Sequence, residues 1–185
     1  MTARFKELTV NNWLEPDETL RAFGRLSPIT GPVHPITAAD LASSFLAIEL
    51  GNHVPENVVA MFKVARGTLL YGYFFYPLYA VGQDQLWRVC EAAMNQKFQQ
   101  LDGPRRRERF VDKIKWMRSE GHLSEEQDVW WTAVRQLRNS ASHPVFQTLI
   151  VPLELPGVLQ RTAHAINCLF DDTLDFMSLW RGGRP

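Results

Sequence analysis

Cysteine is scarce in this sequence. Cys90 and Cys168 are the only two among 185 residues, with no CxxC pair and no zinc-like spacing. Both fall on apolar positions of helix-like segments, so a reduced cytosolic protein is expected rather than a disulfide scaffold. Net charge is missing too: twenty Lys+Arg face twenty Asp+Glu, and the pI is about 7.0. A general nucleic-acid coat or a membrane-surface protein carries a basic excess, so any anion site here must be local. No hydrophobic run reaches membrane length. Gly67 to Gln83 lacks charge for seventeen residues, but Pro77 interrupts it and a spanning helix needs roughly twenty. The first residues, MTARFKELTV, hold no signal-peptide apolar region. Also absent are a Gly-rich phosphate loop, a GxSxG elbow, an HExxH pair and carboxylates at metal spacing, which excludes the usual phosphatase, kinase, hydrolase and zinc-enzyme designs. His164 and Cys168 stand four apart, but two ligands on one helix face do not make a metal site. A packed histidine and a core cysteine are expected, with no metal and no cofactor.

What is present is enough apolar sequence for one sizeable core, 45% hydrophobic against 22% charged. Residues 1–36 differ from the rest. Trp13, Leu14, Leu20, Phe23 and Leu26 keep no period, and Gly24, Pro28, Gly31, Pro32 and Pro35 interrupt regular structure. This segment reads as an irregular N-terminal arm with a Pro/Gly-rich linker and one short helix near Pro16–Arg25. Residues 37–185 read as a helical domain.

The helical reading rests on caps and apolar spacing. Thr37-Ala-Ala-Asp40 opens a helix continued by Leu41, Phe45 and Ile48 and stopped by Gly51. Pro55 suits the first turn of a second helix whose buried face is Val58, Phe62, Ala65 and Leu69. Pro77 marks a kink or restart, and Trp87, Cys90, Met94, Phe98 and Leu101 stripe a helix over residues 80–101. Asp102-Gly103-Pro104 breaks the chain before a short helix through Phe110, Ile114 and Met117. Ser124-Glu-Glu-Gln127 is a capping box leading into Trp130, Val134, Leu137 and Ala141. Pro144 ends that helix, and Val145–Leu155 is expected to be an extended connection. Val158, Thr162, Ile166, Leu169, Thr173, Phe176 and Trp180 then predict one long terminal helix. The fold class is all-α, a bundle of four to five main helices with short connections. The four tyrosines Tyr71, Tyr73, Tyr76 and Tyr79, beside Phe74 and Phe75, read mostly as core that can merge into an interface or stack on exposed bases.

Two features concentrate chemistry. The first is Arg105-Arg106-Arg107-Glu-Arg109 with Lys113, Lys115 and Arg118: seven basic and two acidic residues between 105 and 118. Such a run either steers a polyanion or forms a solvated face balanced by nearby carboxylates. The second is Arg138-Asn139-Ser140-Ala141-Ser142-His143-Pro144. An Arg followed by His at this distance is expected about once by chance in this composition; the flanking sequence carries the argument.

That context, WWTAVRQLRNSASHP preceded by GHLSEEQDVWW, resembles the HEPN domain family (higher eukaryotes and prokaryotes nucleotide-binding) over about residues 56–185. Its pattern is an apolar helix face, an Arg-polar step and a His near the helix end, followed by a long C-terminal helix. The resemblance implies a HEPN-like helical bundle and metal-independent RNA cleavage that leaves a 2′,3′-cyclic phosphate. It also implies a homodimer bringing two motifs together across a two-fold axis, and a setting in toxin–antitoxin or antiphage defence with an antitoxin or operon partner. Arg138, Asn139 and His143 are the catalytic residues it points to.

The residue chemistry agrees with those roles. Asn139 and His143 are i and i+4 and share a helix face with Arg135, while Arg138 borders it. A residue before proline is pushed out of the helical region, so His143 should end the helix, where the dipole favours imidazolium. Such a His can exchange protons with a ribose 2′-hydroxyl or a leaving 5′-oxygen. The fixed fork of Arg138 can hold the scissile phosphate. Arg135, Ser142, Arg105, Arg106, Arg107, Arg109 and Lys113 are the further candidates for contacting RNA, and zero net charge favours a narrow substrate such as a tRNA loop. The competing reading is a non-catalytic module binding a partner protein or nucleotide, with Arg138 paired to Glu125 or Asp128 and His143 capping its own helix. A third is a helical subunit whose basic run docks on a larger nucleoprotein.

Overall fold

The computed structural model describes residues 5–26, 33–106, 108–141 and 150–181. Within them the chain is an all-α bundle with a small ribbon in the arm. The elements are β1 (Gly24–Leu26), β2 (Val33–Pro35), α1 (Ala38–Leu46), α2 (Glu56–Tyr71), α3 (Leu78–Gln100), α4 (Phe110–Ser119), α5 (Glu125–Ala141), α6 (Leu155–Phe170) and α7 (Ser178–Arg181).

Local chemistry explains most of the boundaries. Thr37 accepts the Asp40 N–H at 3.1 Å while the Asp40 carboxylate accepts the Thr37 N–H at 3.1 Å, so both orphan donors are satisfied at the start of α1. Ser124 and Gln127 repeat the device for α5, at 3.2 and 2.8 Å. Pro77 is a restart rather than a kink: α2 ends at Tyr71 and α3 begins at Leu78. Gly82 lets α3 approach α2, because a Cβ there would stand 2.8 Å from the Leu69 side chain. Gly121 supplies the positive φ, +79°, that closes the α4–α5 turn.

α3 is the axis of the bundle, packing against α2, α4, α5 and α6. The predicted core positions Val58, Phe62, Ala65, Leu69, Cys90, Met94, Phe98, Ile114 and Met117 are all buried, and one cluster joins them to Leu20 and Ile36. Full burial of aliphatic side chains of this size is worth about 1.5–3 kcal/mol each relative to exposure, and this drives helices without strong intrinsic caps onto one another.

Five expectations are corrected. α1 ends at Leu46, short of Gly51. The arm is not wholly irregular: β1 and β2 pair antiparallel with Arg25 opposite His34, and the short helix is a 3-10 turn over Glu18–Ala22. The inward face of α5 is set by Trp131 and Val134, 0% and 2% exposed, whereas Leu137 is 47% exposed. The connection does not stay extended to Leu155, since Pro152–Glu154 is a 3-10 turn that runs into α6; residues 142–149 lie outside the described set. The long terminal helix breaks after Phe170. Asp171 accepts from the Thr173 N–H at 3.0 Å and its hydroxyl at 2.6 Å, a local turn that competes with helix continuation.

The last two tyrosines of the aromatic stretch are covered rather than presented. Tyr76 and Tyr79 are 4% and 0% exposed. Phe5 and Phe23 of the arm stack on the Tyr76 ring with centroids at 6.4 and 6.3 Å. Asp17, 1% exposed, accepts the Tyr76 N–H at 2.8 Å and donates its own N–H to the Tyr73 carbonyl at 2.9 Å. Tyr71 alone of the four tyrosines remains exposed. No helix among the described residues is long and apolar enough to cross a membrane.

Candidate functional site

The site builds on α5. Once Trp131 and Val134 turn inward, the next position on that stripe, at a spacing of four, is Arg138. It therefore points along the flank of α3, not straight into solvent. Its Nε–H donates to Glu91 Oε2 at 3.0 Å, with the Arg138 and Glu91 side chains 39% and 26% exposed. Among the described residues the carboxylate that pairs with it is thus Glu91, forty-seven positions earlier, rather than Glu125 or Asp128. One turn further along α3, Asn95 accepts from Lys113 Nζ at 2.7 Å, and the same ammonium stands 5.7 Å from the Phe98 ring centre. Glu91 and Asn95 are i and i+4, so α3 gathers Arg138 from α5 and Lys113 from α4 on one edge.

Asn139 is exposed beside Arg138. Arg135, one turn earlier, is half-buried, and its Nε–H finds no acceptor among the described residues. Ser140 donates back to the Gln136 carbonyl at 3.0 Å. His143, Ser142 and Arg107 lie outside the described residues. The basic run divides: Arg109 forms a two-point pair with Asp112 at 2.7 and 3.1 Å, Arg118 donates to the Leu123 carbonyl at 3.0 Å, and Arg105 and Arg106 are exposed. The structure therefore brings Arg138 and Lys113 to one edge of α3, with Arg135 and Asn139 near Arg138 in sequence on α5. Among the described residues, Arg109, held by Asp112, and the exposed Arg105 and Arg106 form no hydrogen bond or ion pair with that cluster. Glu91 and Asn95 escaped sequence reasoning because no local pattern ties a carboxylate on one helix to an arginine on another.

His164 and Cys168 pack as a pair, with Sγ 3.5 Å from Nε2. Nε2 also meets the carbonyls of Asp175 and Phe176 at 3.1 and 3.0 Å, so the ring fastens the segment after α6. Burial, then the charges of Asp175 and Asp171, push the Cys168 thiol up to about 11. That is the opposite of nucleophile activation. Burial raises the Cys90 thiol as well. Among the described residues no three His, Cys, Asp or Glu side chains gather as metal ligands.

No protein-family model matches the chain, and neither curated proteins nor solved structures provide a match.

Proposed function

We propose that the protein is a metal-independent endoribonuclease of HEPN type, working as a homodimer on a narrow RNA substrate such as a tRNA loop. One observation carries the reading: Arg138 is oriented through Nε by Glu91 while its side chain stays 39% exposed, with Asn139 exposed next to it. A guanidinium whose direction is set by a carboxylate, and which is still partly exposed, suits recognition of a phosphate. In this reading Arg138 holds the scissile phosphate and stabilises its developing charge, Asn139 orients substrate, and His143 exchanges protons with the 2′-hydroxyl and the leaving 5′-oxygen. The lysine at position 113 adds positive charge a helical turn away. A role in toxin–antitoxin or antiphage defence, with a cognate partner protein, accompanies the family resemblance.

The same ion pair favours a second reading. Glu91 offsets the charge that a phosphate would use, as expected of a non-catalytic module that binds a partner protein or nucleotide. Cleavage of total tRNA and mRNA in EDTA separates the two, comparing the wild type with His143→Ala and Arg138→Ala. The nuclease reading expects cyclic-phosphate ends from the wild type and loss of cleavage, by about a hundredfold or more, in each variant. A folded wild type that leaves all RNA intact, or cleavage indifferent to both substitutions, establishes the module instead.

A further inference from the structure

α5 carries a second apolar face that the bundle does not use. Trp131 and Val134 face the core, but Val129, Ala133 and Leu137 are exposed on the other side, Val129 at 66%. The segment after α6 folds back beside that face and supplies Phe176, Met177 and Trp180. With Val129, Trp130 and Ala133 of α5 they line an open groove of about 520 Å³. Its apolar wall is built, not incidental. Phe176 stacks on Trp180 at 4.8 Å, and His164 pins the segment through the Asp175 and Phe176 carbonyls.

Charge says what the groove accepts. Glu125 and Glu126 line it. The two stretches that line it, residues 125–133 and 176–180, hold three acidic residues and no lysine or arginine in a chain whose net charge is zero. The Glu126 carboxyl is held below the usual range by a backbone N–H and the Ser124 hydroxyl, with Arg118 and Arg181 adding to this, so it stays ionised. A two-fold pairing of this face with itself would set one acidic rim against another, which disfavours a second copy as the occupant. From position 126 to 133 the lining stretch of α5 runs about 10 Å, two turns of a partner helix.

We infer that this groove is a docking site for a basic amphipathic helix of another protein, with large apolar side chains seated between Val129 and Trp180 and Lys/Arg flanks against Glu125 and Glu126. The site is independent of RNA cleavage. It is tested on the full chain with a displayed library of sixteen-residue peptides, followed by fluorescence anisotropy of one enriched peptide. Enriched sequences should carry apolar residues at helical i, i+3, i+4, i+7 spacing and a Lys/Arg excess. Binding should weaken at least tenfold in Val129→Lys, an exposed position where the fold tolerates lysine, and at least tenfold in the double variant Glu125→Lys, Glu126→Lys. No enrichment, enrichment of acidic or non-helical peptides, or binding unchanged in Val129→Lys overturns the proposal. So does a homodimer that Val129→Lys converts to monomer, because a second copy would then own the groove.

Discussion

Arg138 and Glu91 form a half-exposed pair, and such a pair holds geometry more than it holds the fold. Replacing Glu91 with Ala should change unfolding free energy by less than about 1 kcal/mol. On the nuclease reading it should still lower cleavage about tenfold, through kcat rather than KM, because the guanidinium loses the contact that aims it. Glu91→Gln keeps an acceptor and should recover most of that loss. Denaturant titration beside single-turnover cleavage checks both halves, and a large stability loss would make Glu91 a structural residue only. Cys168 gives a residue-scale prediction that does not depend on function. With its thiol raised from the ordinary 9.0 to about 11, about one molecule in a thousand carries the thiolate at pH 8. Modification by a disulfide reagent at that pH should run about a hundredfold slower in the native protein than in urea. The folded chain binds this proton more tightly than the unfolded chain. The associated stability is therefore full below pH 9 and is lost between pH 9 and about 11.

At the scale of elements, Tyr76 ties the arm to the chain after α5. Its hydroxyl donates to the Ile150 carbonyl and accepts the Ile150 N–H at 2.9 Å, while Asp17, Phe5 and Phe23 hold it from the arm. Tyr76→Phe leaves both backbone groups of a buried residue without partners, and should cost about 2–4 kcal/mol in urea unfolding. Tyr71→Phe, at an exposed position, should stay within about 0.5 kcal/mol. A loss below about 1 kcal/mol at Tyr76 would mean that water replaces the clamp. None of this clamp was legible in the sequence, where Tyr76 was one of four tyrosines in an uncharged run. Short-range signals read well: the capping boxes at Thr37 and Ser124, and the stripes of α2, α3 and α4. Phase and competition read badly. Adjacent Trp130 and Trp131 both fit an apolar stripe, and only packing against α3 selects Trp131. The rhythm through Thr173 hid a break because Asp171 bonds locally. Arg138 and Asn139 stand out in the sequence only through the motif on which the HEPN resemblance rests, and Glu91 does not stand out at all, since a tertiary ion pair leaves no periodicity.

For the whole molecule, neutrality conceals a separation of charge, with the 105–118 run basic and the α5 entry and post-α6 segments acidic. The basic run is weaker as a phosphate binder than its seven cations suggest. Arg109 is spoken for by Asp112, Lys113 by Asn95 and the Phe98 face, and Arg118 by the Leu123 carbonyl. Arg105, Arg106 and Lys115 remain as exposed cations of the run that form no hydrogen bond or ion pair among the described residues. Each phosphate neutralised on single-stranded RNA contributes about 0.7 to the slope of log affinity against log salt, so contacts by these three cations contribute about −2 to that slope. Anisotropy of a labelled single-stranded RNA between about 50 and 300 mM KCl measures it, and Arg105→Ala with Arg106→Ala should flatten it by about 1.4. A slope of about −4 or steeper that survives this double substitution would place the phosphate contacts on another surface and leave the run as a solvated face. The double substitution should also leave the cleavage chemistry intact at saturating RNA, because those two arginines lie outside the cluster that α3 gathers around Arg138. On the nuclease reading, weak, salt-sensitive capture by the run together with a separate, ion-paired Arg138 would favour a narrow RNA substrate over bulk degradation, since little of the affinity would come from indiscriminate charge.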